Sequence, residues 1–99
     1  MKTHHYFIYI TTNPKKTVLY VGVTNDLRRR LEEHLADANT HKTTFAGKYF
    51  CYNLIYYEFF PEIEWAIARE KEIKGWSRSK KELLINKSNP DWRFLNEQV

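Results

Sequence analysis

The order of hydrophobic patterns along the chain predicts a small α+β domain: a three-stranded antiparallel sheet flanked by helices, in the order β-β-α-β-α-α. The first observation is a set of three short runs rich in β-branched and aromatic residues, typical of strands. The second is that the segments after the second and third runs repeat apolar residues at helical spacing. With 99 residues, of which 42% are hydrophobic, we expect a single domain over residues 1–99.

The first two strands are predicted at 6–11 and 17–23, on either side of the turn-forming residues 12–16. So short a loop predicts an antiparallel hairpin. The third strand is predicted at 52–59. Side chains alternate between the faces of a strand, so Tyr9 and Tyr20 can stand side by side on one face. In that register Phe7 lies opposite Gly22.

The first helix follows the second strand. Thr24 or Asn25 can cap it, and Asp26 suits the positive end of the helix dipole. Its buried stripe is predicted from three leucines at every fourth position, Leu27, Leu31 and Leu35. The polar stretch 36–47 is expected to be a loop with a short helical turn.

Two further helices are predicted in the last third of the chain. Pro61 opens the first of them, in a position where its missing N–H costs nothing, and Gly75 ends it. Residues 79–82 read Ser-Lys-Lys-Glu and predict a capping box for the last helix. That helix is expected to run to about Lys87, because Pro90 prevents its continuation.

Composition excludes several classes of protein and indicates the cellular compartment. A single cysteine, Cys51, excludes an internal disulfide framework and a multi-cysteine zinc site, and suits a reducing cytoplasm. No apolar run approaches the roughly 20 residues of a membrane helix. The N-terminal residues 1–16 lack the apolar core of a signal peptide, so we expect a cytoplasmic protein.

The charge is concentrated in one segment. The formal net charge is +4, and residues 71–87 alone hold six basic and two acidic side chains. A basic segment of this kind is compatible with nucleic acid or an anionic membrane as partner, or with an ordinary solvated surface.

Glu70 is the most informative single position. On a helix it falls in the middle of an apolar line. The members of that line are Ile63, Ala66, Ile67 and Ile73. A carboxylate facing a core must be paired, protonated or bound to a metal. Geometry leaves two alternatives open: a buried salt bridge, for instance with an arginine of the first helix, or metal binding and catalysis.

Other residues could supply phosphodiester chemistry, although each has a simpler interpretation. Arg30 and His34 share one side of the first helix, where they could also form a solvated face. The guanidinium of Arg30 can hold phosphate oxygens, and Glu70 can hold Mg²⁺ through one carboxylate. A tyrosine or His34 could relay a proton. Gly22 within a strand marks a close backbone approach.

Several of these motifs together resemble the GIY-YIG nuclease superfamily. They are Phe7-Ile8-Tyr9, then Tyr20-Val21-Gly22, then Arg30 and His34. Residues 66–76, and the pattern that continues through Arg78 to Trp92, are similar to the small single-domain bacterial branch related to the N-terminal domain of the excinuclease C subunit.

The resemblance implies the three-stranded fold and a DNA endonuclease that uses one Mg²⁺ or Mn²⁺ ion, in repair, recombination or processing. Tyr9 would help to activate the attacking water, as general base, and Tyr20 would line the site. Arg30 would stabilise the phosphate charge with His34 beside it, and Glu70 would hold the metal. DNA is then the expected partner, with a targeting or repair protein as a possible second one, and no membrane is expected.

Further residues are expected to contact the substrate. By resemblance, Gly22 keeps one wall of the site open, and Lys48 and Asn89 contact nucleic acid. The basic segment should follow the phosphate backbone. Together the expected substrate contacts are Gly22, Lys48, Lys74, Arg78, Lys80, Lys81 and Asn89.

The sequence departs from the signature at one position, where Phe7 replaces a glycine. A ring opposite Gly22 would fill space that a substrate uses. This departure leaves an alternative open, a non-catalytic nucleic-acid-binding or repair-complex interaction module with the nuclease fold. RNA also stays open as a substrate, since no residue here reads a 2′-hydroxyl.

Overall fold

The structure, a computed structural model, describes residues 5–99. Residues 1–4, part of the N-terminal stretch considered above for a signal peptide, lie outside the described residues. The sheet has three strands in the order β2-β1-β3, and both pairs are antiparallel. They are β1 (Tyr6–Thr12), β2 (Leu19–Thr24) and β3 (Asn53–Phe60). The predicted α+β class is confirmed.

Among residues 5–99, four α-helices flank this sheet: α1 (Leu27–Asn39), α2 (Phe45–Lys48), α3 (Ile63–Lys74) and α4 (Arg78–Ser88). A 3₁₀ turn, Asn96–Gln98, follows near the C-terminus. The short α2 lies in the stretch where a loop with a helical turn was predicted. Within residues 5–99, no helix has the length and apolarity needed to cross a membrane.

The two faces of the sheet bury separate clusters. On one face, Ile8 and Ile10 of β1 pack with buried residues of α3 and α4, namely Ala66, Ile73 and Ile85. On the other face, Tyr9 packs with α1 and β3 through Leu27, Leu31 and Leu54. Alternation along β1 thus directs Tyr9 towards α1 and its neighbours towards α3.

The predicted hairpin register is wrong by two residues. Tyr9 lies opposite Gly22, and Phe7 lies opposite Thr24. The cause is the loop, where the Asn13 carboxamide oxygen accepts hydrogen bonds from the backbone N–H groups of Thr17 and Val18, at 2.8 and 2.9 Å. This loop is longer than a minimal turn, so Thr12 pairs with Leu19 and the pairing with β2 begins at a later residue. The prediction from the sequence that Phe7 lies opposite Gly22 is therefore wrong.

Two details of α1 also differ from expectation. Asp26 is itself the N-cap, and its carboxylate accepts a hydrogen bond from the N–H of Arg29 at 3.0 Å. The third leucine of the predicted stripe, Leu35, is exposed, whereas His34 and Ala38 are buried. With 3.6 residues per turn, a strict four-residue repeat drifts off the buried face. His34 is therefore carried into the interior.

The starts of the last two helices were also misplaced. The N-cap of α3 is Glu62, so Pro61 precedes the helix instead of opening it. α4 begins at Arg78, because the Ser77 hydroxyl caps it by accepting from the N–H of Lys80 at 3.2 Å. The predicted capping box is therefore wrong. The end of α3 at Gly75 is confirmed.

The C-terminal tail forms hydrogen bonds with the start of β3. The N–H of Leu95 donates to the carbonyl of Leu54 at 2.7 Å. The Asn96 carboxamide accepts from the N–H of Leu54 and donates to the carbonyl of Tyr52, both at 2.8 Å. These bonds satisfy backbone groups that an edge strand would otherwise leave unpaired.

Candidate active site

Tyr9 lies at the centre of the candidate site. It is fully buried, and its hydroxyl lies 2.8 Å from Nε2 of His34 on α1. Its ring crosses the neighbouring strand directly over Gly22, where an added Cβ would lie only 2.4 Å from the Tyr9 hydroxyl oxygen. Only glycine at position 22 leaves room for the phenol in this position.

The protonation states of this pair follow from burial. Burial and the nearby positive charge of Arg30 lower the pKa of His34 to about 4, so its imidazole is neutral at pH 7. Burial, with a smaller contribution from Tyr20, raises the pKa of Tyr9 well above its usual value. Both groups are therefore neutral at pH 7, and the Tyr9 hydroxyl donates to Nε2 in the imidazole tautomer that carries its proton on Nδ1.

Arg30 and Tyr20 complete a compact group. The ring of Tyr20 lies 6.1 Å from that of Tyr9 and meets the ring of His34 edge-on at 5.4 Å. Hydrogen bonding and charge from Arg30 lower the pKa of Tyr9, against the larger rise caused by burial. Arg30 also donates to the Glu33 carboxylate at 3.0 Å and is one-third exposed, so solvent reaches its guanidinium.

Glu70 lies on α3, and its ion pair with Lys74 connects it to this group. Its side chain is 16% exposed, and its carboxylate lies 3.5 Å from Nζ of Lys74. The same Lys74 ammonium lies 5.9 Å from the ring centroid of Tyr20. The ion pair of Glu70 is thus with a lysine of its own helix, one turn on, and not with an arginine of α1. Ile67, expected on the apolar line, is 38% exposed.

A metal site at Glu70 has a limited set of ligands. Across residues 5–99, no group of three or more His, Cys, Asp or Glu side chains is placed to hold a metal ion. A zinc site with several protein ligands does not fit. A Mg²⁺ ion does fit, since it commonly binds through one or two carboxylates and completes its shell with water and substrate phosphate.

The predicted lysine contacts lie at different distances from the site. Lys74 is next to Tyr20, as described. Lys48 is exposed on α2, with its ammonium 5.6 Å from the Tyr49 ring. On α4, Lys80 lies 4.4 Å from the Trp76 ring, and Lys81 is half-buried. No ring contact joins these α4 lysines to Tyr9 or Tyr20 in the described part of the chain, so their substrate contacts remain predictions.

Arg78 and Asn89 are engaged in internal hydrogen bonds. Arg78 donates to the carbonyl of Thr17 at 2.6 Å and pairs with Glu82 at 2.9 Å. The buried Asn89 carboxamide donates to the carbonyls of Ile55 and Arg93 and accepts from the N–H of Arg93, each at 2.9 Å. These bonds fix α4 to the sheet. A substrate contact by either residue stays a prediction that requires these bonds to open.

A second charged network is not apparent from the sequence. Arg69 of α3 makes a two-pronged ion pair with Glu58 of β3, with both distances at 3.0 Å. The Tyr56 hydroxyl donates to the same carboxylate, and Arg69 lies 5.2 Å from the ring of Trp76. No local spacing signals this network, since its members belong to different elements. It holds α3, and with it Glu70, against the sheet.

The family model for the GIY-YIG catalytic domain matches residues 5–83. The chain belongs to the GIY-YIG family. This is a nuclease superfamily whose members generally use a divalent metal, and the domain implies interaction with nucleic acid.

Small relatives match over most of their length. The chain is 31% identical to a UPF0213 protein of Bacillus pumilus, over 100% of this chain and 97% of that protein. It is 34% identical to a UPF0213 protein of Haloquadratum walsbyi, over 85% of this chain and 89% of that one. The solution NMR structure of a UPF0213 protein from Bacillus halodurans has a TM-score of 0.55 and 28% identity, and 89% of each chain is covered.

Proposed function

We propose that this protein is a divalent-metal-dependent endonuclease that hydrolyses phosphodiester bonds in DNA, in repair, recombination or processing. The observation that carries the proposal is the hydrogen bond between Tyr9 and the neutral His34, with Arg30 and Tyr20 beside it, in a member of a nuclease superfamily. These are the groups that phosphodiester hydrolysis needs: a proton relay and a fixed cation.

Arg30 would bind the phosphate. Its guanidinium is partly exposed beside two tyrosines, and phosphate oxygens match its planar set of donors. As charge accumulates on the phosphate oxygens in the transition state, this fixed cation stabilises them. Lys74, next to Tyr20, adds a second positive charge on the α3 side.

Tyr9 can act as a base only if its own proton leaves, because its raised pKa keeps the phenol protonated at neutral pH. His34 provides the acceptor at 2.8 Å. Because Tyr9 is fully buried, the side chains that cover its hydroxyl must first move aside to admit water. As that water attacks phosphorus, its proton passes to the Tyr9 oxygen, and the Tyr9 proton passes to Nε2. The bond to the leaving oxygen breaks, and that oxygen takes a proton from solvent. A phosphate on Arg30 offsets the charge that lowers the His34 pKa, which favours this transfer.

Glu70 would hold the metal ion. When bound, Mg²⁺ or Mn²⁺ supplies positive charge that stabilises the phosphate oxygens during displacement. To bind it, Glu70 must release Lys74, which is free to swing towards the substrate because half of its side chain is exposed.

A cleavage assay tests the proposal. Supercoiled plasmid is incubated with the protein and Mg²⁺ or Mn²⁺, with and without EDTA, and Glu70→Ala is compared with Glu64→Ala. Glu64 is exposed in the first turn of the same helix and serves as the matched control. We expect metal-dependent nicking that Glu70→Ala loses and Glu64→Ala keeps, with circular dichroism unchanged. Equal cutting by wild type and Glu70→Ala would refute the assignment of Glu70.

One observation favours the non-catalytic alternative. The ion pair between Glu70 and Lys74 places an ammonium where the metal would bind. If wild type cuts no DNA with either metal, yet binds it in a salt-dependent manner, the protein is a binding module with the nuclease fold. DNA rather than RNA as substrate, a cytoplasmic location and a targeting or repair partner remain predictions.

A further inference from the structure

An aromatic surface extends outward from the candidate site. The ring of Phe45, on α2, stacks on that of Tyr20 with 5.9 Å between centroids and 25° between planes. The ring of Tyr49 lies 4.6 Å from that of Phe45. Phe45 is 51% exposed and Tyr49 is 41% exposed, so much of each ring faces solvent. We call Phe45 and Tyr49 the α2 platform.

The backbone that carries the α2 platform is tied to α1. The Asp37 carboxylate accepts hydrogen bonds from the backbone N–H and the hydroxyl of both Thr43 and Thr44, at 2.8 to 2.9 Å. These bonds hold the pKa of Asp37 far below its usual range. Gly47 packs against the same carboxylate, where an added Cβ would lie 1.9 Å from its oxygen. A backbone that is already anchored loses less conformational entropy when its aromatic side chains bind a flat ligand.

Charge at the α2 platform matches a polyanion. The ammonium of Lys48 lies 5.6 Å from the Tyr49 ring, and that of Lys42 lies 5.3 Å from the ring of the exposed Phe50. Exposed rings edged by lysines are typical of surfaces on which bases stack while cations contact the phosphates. The stack on Tyr20 makes this surface continuous with the candidate site.

We propose that the α2 platform stacks unpaired nucleobases next to the phosphate that reacts, so that the favoured substrates are single-stranded DNA and single-stranded branches on duplexes. In a duplex, both faces of an internal base are covered by its neighbours, so only an unpaired or terminal base can lie flat on Phe45. This proposal rests on the proposed function for its substrate, but its binding step can be measured without cleavage.

The test is binding of fluorescein-labelled single-stranded DNA, and of a hairpin duplex without free ends, with EDTA present to prevent cleavage. We expect the double variant Phe45→Ala, Tyr49→Ala to bind the single strand about tenfold more weakly, as loss of base stacking does elsewhere. Its duplex binding should be unchanged. A 2-aminopurine base in the strand should lose fluorescence on binding wild type, and not on binding the variant.

Two variants serve as controls. Phe45→Trp keeps a stacking ring and should keep single-strand affinity. Phe94→Ala removes another half-exposed ring beside a lysine, Lys16, on the side of α1 that carries Arg28 and Leu35. It should bind both DNAs as wild type does.

Other outcomes would overturn the proposal. If the double variant binds single strands and duplex equally more weakly, the rings do not recognise unpaired bases. The same conclusion follows if its single-strand binding is unchanged. A wild-type dimer that the double variant turns into monomers in sedimentation would make the α2 platform an interface between two copies.

The two proposals fail separately. Stacking that depends on Phe45, without cleavage by wild type in Mg²⁺ or Mn²⁺, would refute the nuclease and keep the α2 platform. If single strands and duplexes are cleaved and the loss of Phe45 has no effect, the nuclease is supported and the role of the α2 platform is refuted.

Discussion

Replacing Gly22 with alanine tests whether Tyr9 is held as the structure shows. A methyl group at position 22 would lie 2.4 Å from the Tyr9 hydroxyl oxygen and 2.5 Å from the carbon that bears it. Both distances are far below van der Waals contact, and Tyr9 is fully buried, so its ring has no open space to enter. The phenol must move away from β2, which disturbs the hydrogen bond to His34.

Gly22→Ala is informative because the close contact with Tyr9 should reverse the usual effect of this substitution on the free energy of unfolding. Alanine in a strand is ordinarily more stable than glycine by about 0.5 to 1 kcal/mol, because the unfolded chain has less freedom to lose. Overpacking a buried site costs about 1 to 3 kcal/mol. We therefore expect Gly22→Ala to lower the free energy of unfolding by about 1 to 2 kcal/mol, measured by urea denaturation.

Gly75→Ala is the matched control. Gly75 has an ordinary φ of −78°, and an added Cβ there would meet nothing closer than 3.5 Å. This variant should be as stable as wild type or slightly more so. Adding Tyr9→Phe, which removes the oxygen nearest the new methyl group, should recover part of the loss in Gly22→Ala. If Gly22→Ala is as stable as Gly75→Ala, the close approach of Tyr9 to Gly22 is wrong.

Three further predictions concern stability and reactivity. Since folding lowers the pKa of His34 to about 4, the unfolded state binds more protons below about pH 6.5, and stability should fall as pH drops from there to about 4. The free energy of unfolding should fall by on the order of 3 kcal/mol over this range, at about 1.4 kcal/mol per pH unit. Urea denaturation at several pH values should show a weaker pH dependence in His34→Gln. Asn89→Ala should cost about 1 to 3 kcal/mol in the same assay, because it leaves the Ile55 carbonyl without its donor; a neutral result would mean that water replaces the amide. Cys51 is buried, which raises its thiol pKa to about 11, so it should react with a disulfide reagent such as DTNB only after unfolding; fast reaction of the native protein would contradict this burial.

Local patterns were sufficient to predict the strands and to single out Glu70, whereas the other residues of the candidate site were assigned through the family resemblance. Alternation along the strands and helical spacing placed Tyr9, Tyr20, Arg30 and His34 on elements that meet, as the structure shows. Glu70 was recognised because it interrupts an apolar line, and it is indeed largely buried. Each of these signals lies within one element or between neighbouring elements of the chain.

What the sequence did not predict depends on contacts between distant residues. The hairpin register follows from hydrogen bonds of Asn13 across its loop, which no alternation pattern encodes. The α2 platform exists because Asp37, in the preceding helix, caps the loop that leads into it. The pairing of Arg69 with Glu58 joins a helix to a strand, so neither residue stands out in its own segment. The single domain over residues 1–99 stays a prediction.

The rate of DNA cleavage by Tyr9→Phe shows directly whether the proton of the attacking water passes through Tyr9. Tyr57, directly opposite Tyr9 on β3, provides the matched control Tyr57→Phe. Under single-turnover conditions with Mg²⁺ or Mn²⁺, Tyr9→Phe should cut about 100-fold or more slowly, because it removes the hydroxyl through which the proton passes to His34. Tyr57→Phe should cut as wild type does. Cleavage by Tyr9→Phe at the wild-type rate would contradict the role of Tyr9 in proton transfer.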